Sequence, residues 1–506
     1  MPRPAHRLTL FAAIAVSATA ALAATATVTG TVTGAPATGT TGDAARGPGA
    51  TLRNDAARDP EAAPPAGTVA DAPGAASRPD ATTAALASAA NATEAVPSAA
   101  ETTGAGADGR RRLSAASSSA VRRSPDGKGS SGHRSDEPER TSHLVGTWSA
   151  PSDLVDASLG GQTVRMVVRT SIGGAGARIR LSNVFGTAAV TFRDVHLGIQ
   201  AYGAEILSGT NRPVTFAGRT SVTVRPGRAA WSDPIPGKIP GGADVVVSVY
   251  LPATVRNITG HERAYATTFL SGPGDHAADE KADGFTYTSS QWYFLDRVAV
   301  AAPAAVRSVV AFGDSLTDGA GQDLDANRRW TDYLRHRIAG LAPSRRMGVL
   351  NSGIAGNRLL HPVEGPSGLS RFYRDAVTQP GVRTIVLYEG INDISRGEYT
   401  SAKPIIYAYK RLIQQAHARK LRIVGATLTP FYGFGTWTPE REEIRQKINA
   451  WIRSSHAFDA VVDFDKAVRD PEFPQQLALP YDHGDHLHMS DAGRRRLAYT
   501  VNLGLL

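Results

Sequence analysis

Two periodicities of apolar and polar positions divide this chain. From about Ser142 to residue 302, apolar residues alternate or run over strand lengths at Val164–Arg169, Ala177–Leu181, Ala189–Phe192, Ser221–Arg225 and Asp244–Tyr250. Gly- and Pro-rich turns separate them at intervals of roughly 10–20 residues, which predicts an antiparallel sandwich or jelly roll. After about Val306 the pattern becomes alternating β and α. Apolar runs predict strands at Ser308–Phe312, Met347–Asn351, Thr384–Tyr388, Leu421–Thr427 and Ala460–Phe464. Between them, Ile405, Ile406, Tyr409, Leu412, Ile413 and Ala416 form one helical stripe, and Ile444, Ile448, Trp451 and Ile452 another. Strands joined by helical crossovers predict an α/β domain, a five-stranded parallel sheet covered by helices on both faces. Ligands of such sheets bind beyond the carboxyl ends of the strands. Ser315, Gly356 and Asn392 each follow one of these predicted ends.

Upstream of both patterns the chain reads differently. Met1 to Arg7 is basic, Leu8 to Leu22 is almost wholly apolar or small, and Ala21-Leu22-Ala23 is an A-x-A cleavage pattern. Residues 1–23 are therefore expected to be a secretory signal peptide and the protein to be secreted and extracellular. The apolar stretch is short for a membrane span. Residues 24–140 are dominated by Ala, Thr, Gly, Pro and Ser, a composition that cannot offset its ordering entropy by burial and predicts a disordered spacer. The expected organisation is thus signal peptide 1–23, spacer 24–140, β domain 141–302 and α/β domain 303–506.

Charge and cysteine content narrow the chemistry. The net charge is +9, and residues 1–140 hold about 14 basic and 13 acidic side chains, so nearly all the excess lies in the part expected to fold. That allows weak association with anionic cell-wall polymers or lipid surfaces, while no motif or interleaving of aromatic and basic residues indicates a nucleic-acid partner. The chain has no cysteine. This excludes a thiol nucleophile, a lipidated cysteine anchor and any Cys-ligated metal.

The residues that carry chemistry lie at the two ends of the α/β region. Asp485 and His488 are three apart, so a turn or helix places the carboxylate beside the imidazole. Ser315, in Gly313-Asp314-Ser315-Leu316, follows the first predicted strand of that region. A serine hydroxyl becomes nucleophilic when an imidazole takes its proton and a carboxylate holds that imidazole in the right tautomer. Read singly, Ser315 is equally suited to be a helix N-cap.

Between these ends lie Asn351-Ser-Gly-Ile-Ala-Gly-Asn357 and Tyr388-Glu-Gly-Ile-Asn-Asp393. The four blocks, Gly313-Asp314-Ser315, Gly356, Gly390-Ile391-Asn392-Asp393 and Asp485 to His488, resemble the SGNH, or GDSL, family of serine esterases and lipases. The upstream β region resembles that of one secreted bacterial branch. The resemblance implies a flavodoxin-like α/β fold and catalysis by Ser315, His488 and Asp485. It also implies an oxyanion hole from the backbone N–H of Ser315 and Gly356 and the Asn392 amide. Gly356, rather than Gly353, matches by its distance from Asn351. One departure is Met489, where relatives carry proline. The implied activity needs no metal or organic cofactor, and the protein is expected to work as a monomer.

Other features leave alternatives open. His483, His486 and His488 with Asp485 have the density of a zinc site, but the serine arrangement already uses two of them, and His483 and His486 are expected to be exposed loop residues. Trp330, Phe434 and Trp437 are candidate substrate-binding aromatics, able to stack on sugar rings or clamp an acyl chain. The expected substrate is a carboxylic ester, foremost a short acyl ester such as acetyl on polysaccharide, with a lipase or phospholipase as alternative. In another class, a β domain and basic spacer suit a non-catalytic protein binding carbohydrate or cell surface.

Overall fold

The computed structural model describes residues 142–397 and 399–506. The expected signal peptide and spacer lie outside the described residues. Residues 142–303 form an all-β region of antiparallel sheets, one of five strands, one of eight and one of three. Hydrophobic residues alternate inward along them. Val145, Ile179, Val298 and Val300 of the five-stranded sheet share one buried cluster with Val164, Met166, Leu197, Val245, Val247 and Val249 of the eight-stranded sheet.

The C-terminal region holds a parallel sheet of five strands, β1 (Ser308–Gly313), β2 (Gly348–Gly353), β3 (Val382–Tyr388), β4 (Arg422–Ala426) and β5 (Ala460–Val462), in the order β2-β1-β3-β4-β5. These are the five strands the apolar runs predict. Every residue of β1 is buried, as a central strand covered on both faces must be. The covering helices include α1 (Ser315–Asp318), α2 (Trp330–Ala339), α3 (Ile391–Ser395), α4 (Lys403–His417), α5 (Pro439–Ser454) and α6 (Asp491–Thr500). The stripe read from the sequence of α4 is its buried face, save for Ile406, which packs at the rim of the core.

Contacts between the two regions are extensive. β2 is an edge strand, and the segment Ser142–Ser149 runs beside it. The Gly146 carbonyl lies 2.1 Å from where a Cβ on Gly348 would sit, so only glycine fits there. Two serine hydroxyls of the β region bond the strand's outer backbone groups. Ser171 Oγ accepts from Val349 N at 3.0 Å, and Ser149 Oγ donates to the Asn351 carbonyl at 2.9 Å. The Arg297 guanidinium reaches the carbonyls of Arg374 and Thr378, and Arg374 in return reaches the Ser152 carbonyl.

Candidate active site

The nucleophile loop is set by β1. Gly313 ends the strand where a Cβ would lie 2.3 Å from the Tyr388 carbonyl, so the chain passes β3 at backbone contact. Asp314 then caps α1, its carboxylate accepting from Leu316 N at 3.0 Å. The capping role open to Ser315 thus belongs to its neighbour, and the Ser315 hydroxyl is left for other work. Ser315 Oγ lies 3.0 Å from His488 Nε2.

His488 stands on a bend rather than a helix. Asp485 Oδ1 accepts from Leu487 N (3.1 Å) and His488 N (2.8 Å), while Oδ2 meets His488 Nδ1 at 2.5 Å. Burial tends to raise the Asp485 carboxyl, but hydrogen bonds from the His488 ring and these backbone groups outweigh it and hold the group below the usual value. With Nδ1–H donating to Asp485, Nε2 is the acceptor facing Ser315. A second carboxylate shapes the bend, one that sequence reading passed over. Asp482 accepts from Gly484 N and His486 N, and its other oxygen meets His486 Nδ1 at 2.7 Å, holding His486 at φ +66°. His486 and His483 are exposed, as expected. Among the described residues no three His, Asp or Glu side chains converge as metal ligands. Met489, at the departure from the family pattern, is buried in the core.

The second and third blocks meet each other through their loops. Gly353, at the end of β2, has no room for a side chain: a Cβ would lie 2.3 Å from Asp318 N. Gly356 lies two residues beyond Ile354, whose N–H donates to the Gly313 carbonyl, and has φ +77°, a conformation that favours glycine. Gly390, with φ +127°, opens α3, and Asn392 Nδ2 donates to the Asn357 carbonyl at 3.0 Å. An amide has two N–H groups, so one is used in holding the loops and the second remains. Asp393 joins the same loops, accepting from Leu359 N and Leu360 N.

Beneath Ser315 lies a group of buried acids. Burial pushes the Asp314 carboxyl up to about 7 and that of Asp393 to about 6. It pushes Glu389 to about 8, against the attraction of Arg371, with the neighbouring Asp314 and Asp393 charges adding to the rise. These folded values exceed the ordinary ones, so between about pH 4 and pH 8 the folded state binds protons that the unfolded chain has released. The group's contribution to stability is present at low pH and lost as pH rises through the folded values. Glu389→Gln removes one such group while keeping an oxygen toward Arg371. Relative to wild type its Tm is expected to gain on the order of 5 °C between pH 5 and pH 9. Parallel melting curves across that range would contradict this account.

The aromatic candidates separate. Trp330 is a correction: it is fully buried, its indole N–H faces Thr317 Oγ1 at 3.3 Å, and its ring meets Phe464 edge-on at 5.6 Å. At the start of α2, so large an apolar surface gains more from the core than from the mouth of the site. Phe434 and Trp437 are half-buried on a loop that abuts the His488 bend, where a Cβ on Gly433 would lie 2.8 Å from the His486 ring. Trp437 meets Tyr432 edge-on, and its buried indole N–H has no hydrogen-bond partner among the described residues.

Two further residues gave no sequence signal. Asp318, three residues after the serine, accepts from Ala355 N at 3.0 Å, and its other oxygen meets Nε2 of His261 at 2.9 Å. His261 comes from the β region, in strand Val255–His261. Both residues line an interdomain cavity of about 390 Å³ and a small crevice beside Ile354, Ala355 and Glu364. Neither Ser315 nor His488 lines that cavity or a second one of about 290 Å³.

Residues 311–496 match the model of the GDSL-like lipase/acylhydrolase family and constitute a domain of that family, preceded by the all-β region. Acylhydrolases cleave acyl esters, so the domain is a carboxylic ester hydrolase. No curated protein matches the chain. Among solved structures, a member of the lipolytic G-D-S-L family from Veillonella parvula is similar at 20% identity, covering 38% of this chain and 95% of its own, with a TM-score of 0.29. The aryl esterase of M. smegmatis is similar at 16% identity, over 38% and 95% of the two chains, with a TM-score of 0.31. A carbohydrate acetylesterase from Sinorhizobium meliloti is similar at 15% identity, over 38% and 95%, with a TM-score of 0.31.

Proposed function

We propose that this protein is a secreted serine esterase that removes short acyl groups, acetyl foremost, from polysaccharide. The observation that carries the catalytic part is the continuous chain from Asp485 through His488 to Ser315, at 2.5 and 3.0 Å. Ser315 Oγ attacks the ester carbonyl and passes its proton to His488 Nε2, while Asp485 stabilises the imidazolium. The charge on the former carbonyl oxygen is met by the backbone N–H groups of Ser315 and Gly356 and by the remaining Asn392 N–H. Collapse of the tetrahedral species expels the alcohol, which takes the proton from His488. Water, deprotonated by the same imidazole, then releases the acid and restores Ser315.

Three features support a short acyl group on an extracellular polymer. The basic, then apolar, then A-x-A pattern of residues 1–23 reads as an export leader. Among the described residues, the cavities of about 390 and 290 Å³ are lined by neither Ser315 nor His488, so neither offers a long acyl chain a channel. The Phe434–Trp437 loop beside the bend offers faces for sugar rings. Purified protein should react with a fluorophosphonate probe with or without EDTA. It should release acetate from acetylated xylan faster than fatty acid from emulsified triacylglycerol. Fatty-acid release without acetate release would overturn the substrate assignment in favour of a lipase. Labelling abolished by EDTA would overturn the mechanism.

A further inference from the structure

We infer that His261 of the β region is a positioning residue for ester hydrolysis, holding through Asp318 the nucleophile helix and the Ala355–Gly356 turn in one geometry. The inference rests on the reading above and assigns the β region a part in catalysis at a site it does not itself enter. The path has few links. Asp318 closes α1, three residues from Ser315, and its N–H donates to the Asp314 carbonyl at 2.9 Å. One carboxylate oxygen accepts from Ala355 N, the residue before the glycine assigned to the oxyanion hole, and the other faces His261 Nε2. A single carboxylate thus spans two of the three blocks whose N–H donors must converge on one oxygen atom.

What fixes that carboxylate comes from the other domain. His261 Nδ1 faces the Pro151 carbonyl at 3.0 Å, and a carbonyl can only accept, so Nδ1 carries hydrogen. Nε2 faces the other oxygen of the carboxylate that accepts from Ala355, so with Asp318 ionised both ring N–H groups are committed. Burial alone would lower the His261 pKa, but the charge and hydrogen bond of Asp318 outweigh it and raise it. The ring stacks on Trp292 with centroids 5.7 Å apart, and Arg329 ties the Asp318 carbonyl (2.8 Å) to that of Ala264 (2.6 Å). Both His261 and Asp318 are almost fully buried. A charged pair this deep is strongly destabilising to break and weak evidence for stability when intact, which is consistent with a role in geometry.

The test uses the full chain and compares His261→Ala, His261→Gln and Ser315→Ala on an aryl acetate, with wild-type and His261-variant rates divided by active sites titrated with fluorophosphonate and the Ser315→Ala rate by protein concentration. A misplacement of about 1 Å in an oxyanion donor costs about a hundredfold. His261→Ala is expected to lower kcat per site by about that factor with KM unchanged. His261→Gln keeps an N–H toward Asp318 and should recover about tenfold of the loss. Wild-type kcat per titrated site in both His261 variants would overturn the inference, whatever the yield of folded protein. So would a raised KM with kcat intact, which would make His261 a substrate contact. Undiminished turnover by Ser315→Ala would instead overturn the Ser315 mechanism on which the inference rests, and it shows in a different arm of the experiment.

Discussion

Ser315→Ala is expected to lower kcat for ester hydrolysis by roughly 10⁴- to 10⁶-fold while leaving the fold and its melting temperature nearly unchanged. The size follows from the loss of the nucleophile that faces His488 Nε2, since the oxyanion donors and bound water can supply only the residual rate. Fold retention follows from the local capping. Asp314, not Ser315, accepts the first orphan N–H of α1, so deleting the hydroxyl costs the helix no cap. Steady-state kinetics and circular dichroism on one preparation decide the matter. A variant within tenfold of wild type would exclude Ser315 as nucleophile.

Asp485→Asn is the second large effect, and its sign depends on which way the new amide turns. Oδ1 of Asp485 accepts two backbone N–H groups, from Leu487 and His488. An asparagine must keep its oxygen there, because an NH₂ would face two donors. The amide nitrogen is thereby directed at His488 Nδ1. That ring nitrogen must then accept, and the proton moves to Nε2, where it points at Ser315 and prevents the ring from acting as base. A loss of about 10⁴-fold in kcat is expected, with little change in stability. If the variant kept more than a tenth of the activity, the orientation of His488 would have to be set by something other than Asp485.

The serine, the histidine bend and the two loops between them were legible in the sequence because each is a local event. A strand end, a glycine at positive φ or a three-residue spacing leaves its mark within a few positions. The five parallel strands were legible because continuous apolar runs have little else to be. Trp330 was misread for the complementary reason: sequence places it near the mouth, and only packing against Phe464 shows that α2 turns it inward. His261 and Asp318 are 57 positions apart and lie in different domains, and neither spacing nor periodicity connects them. Asp482 escaped notice because its work is with backbone N–H groups, which every residue carries. The β region shows the same limit. Its five strongest alternating runs are strands, but Ser142–Ser149, which reaches the other domain, was not among them.

The serine hydroxyls that meet β2 bear on how the chain reaches its native state. An edge strand with free backbone groups is a template for pairing with another copy of the same chain. A parallel sheet forms slowly and leaves that edge open while it forms. Here the cover precedes the sheet in the chain: Ser149 and Ser171 leave the ribosome, and enter any export channel, well before Val349 and Asn351. A region folded first can therefore act as an internal chaperone for the second, shielding β2 as soon as it takes shape. The order of the two domains thus makes the cover available before the edge that it meets.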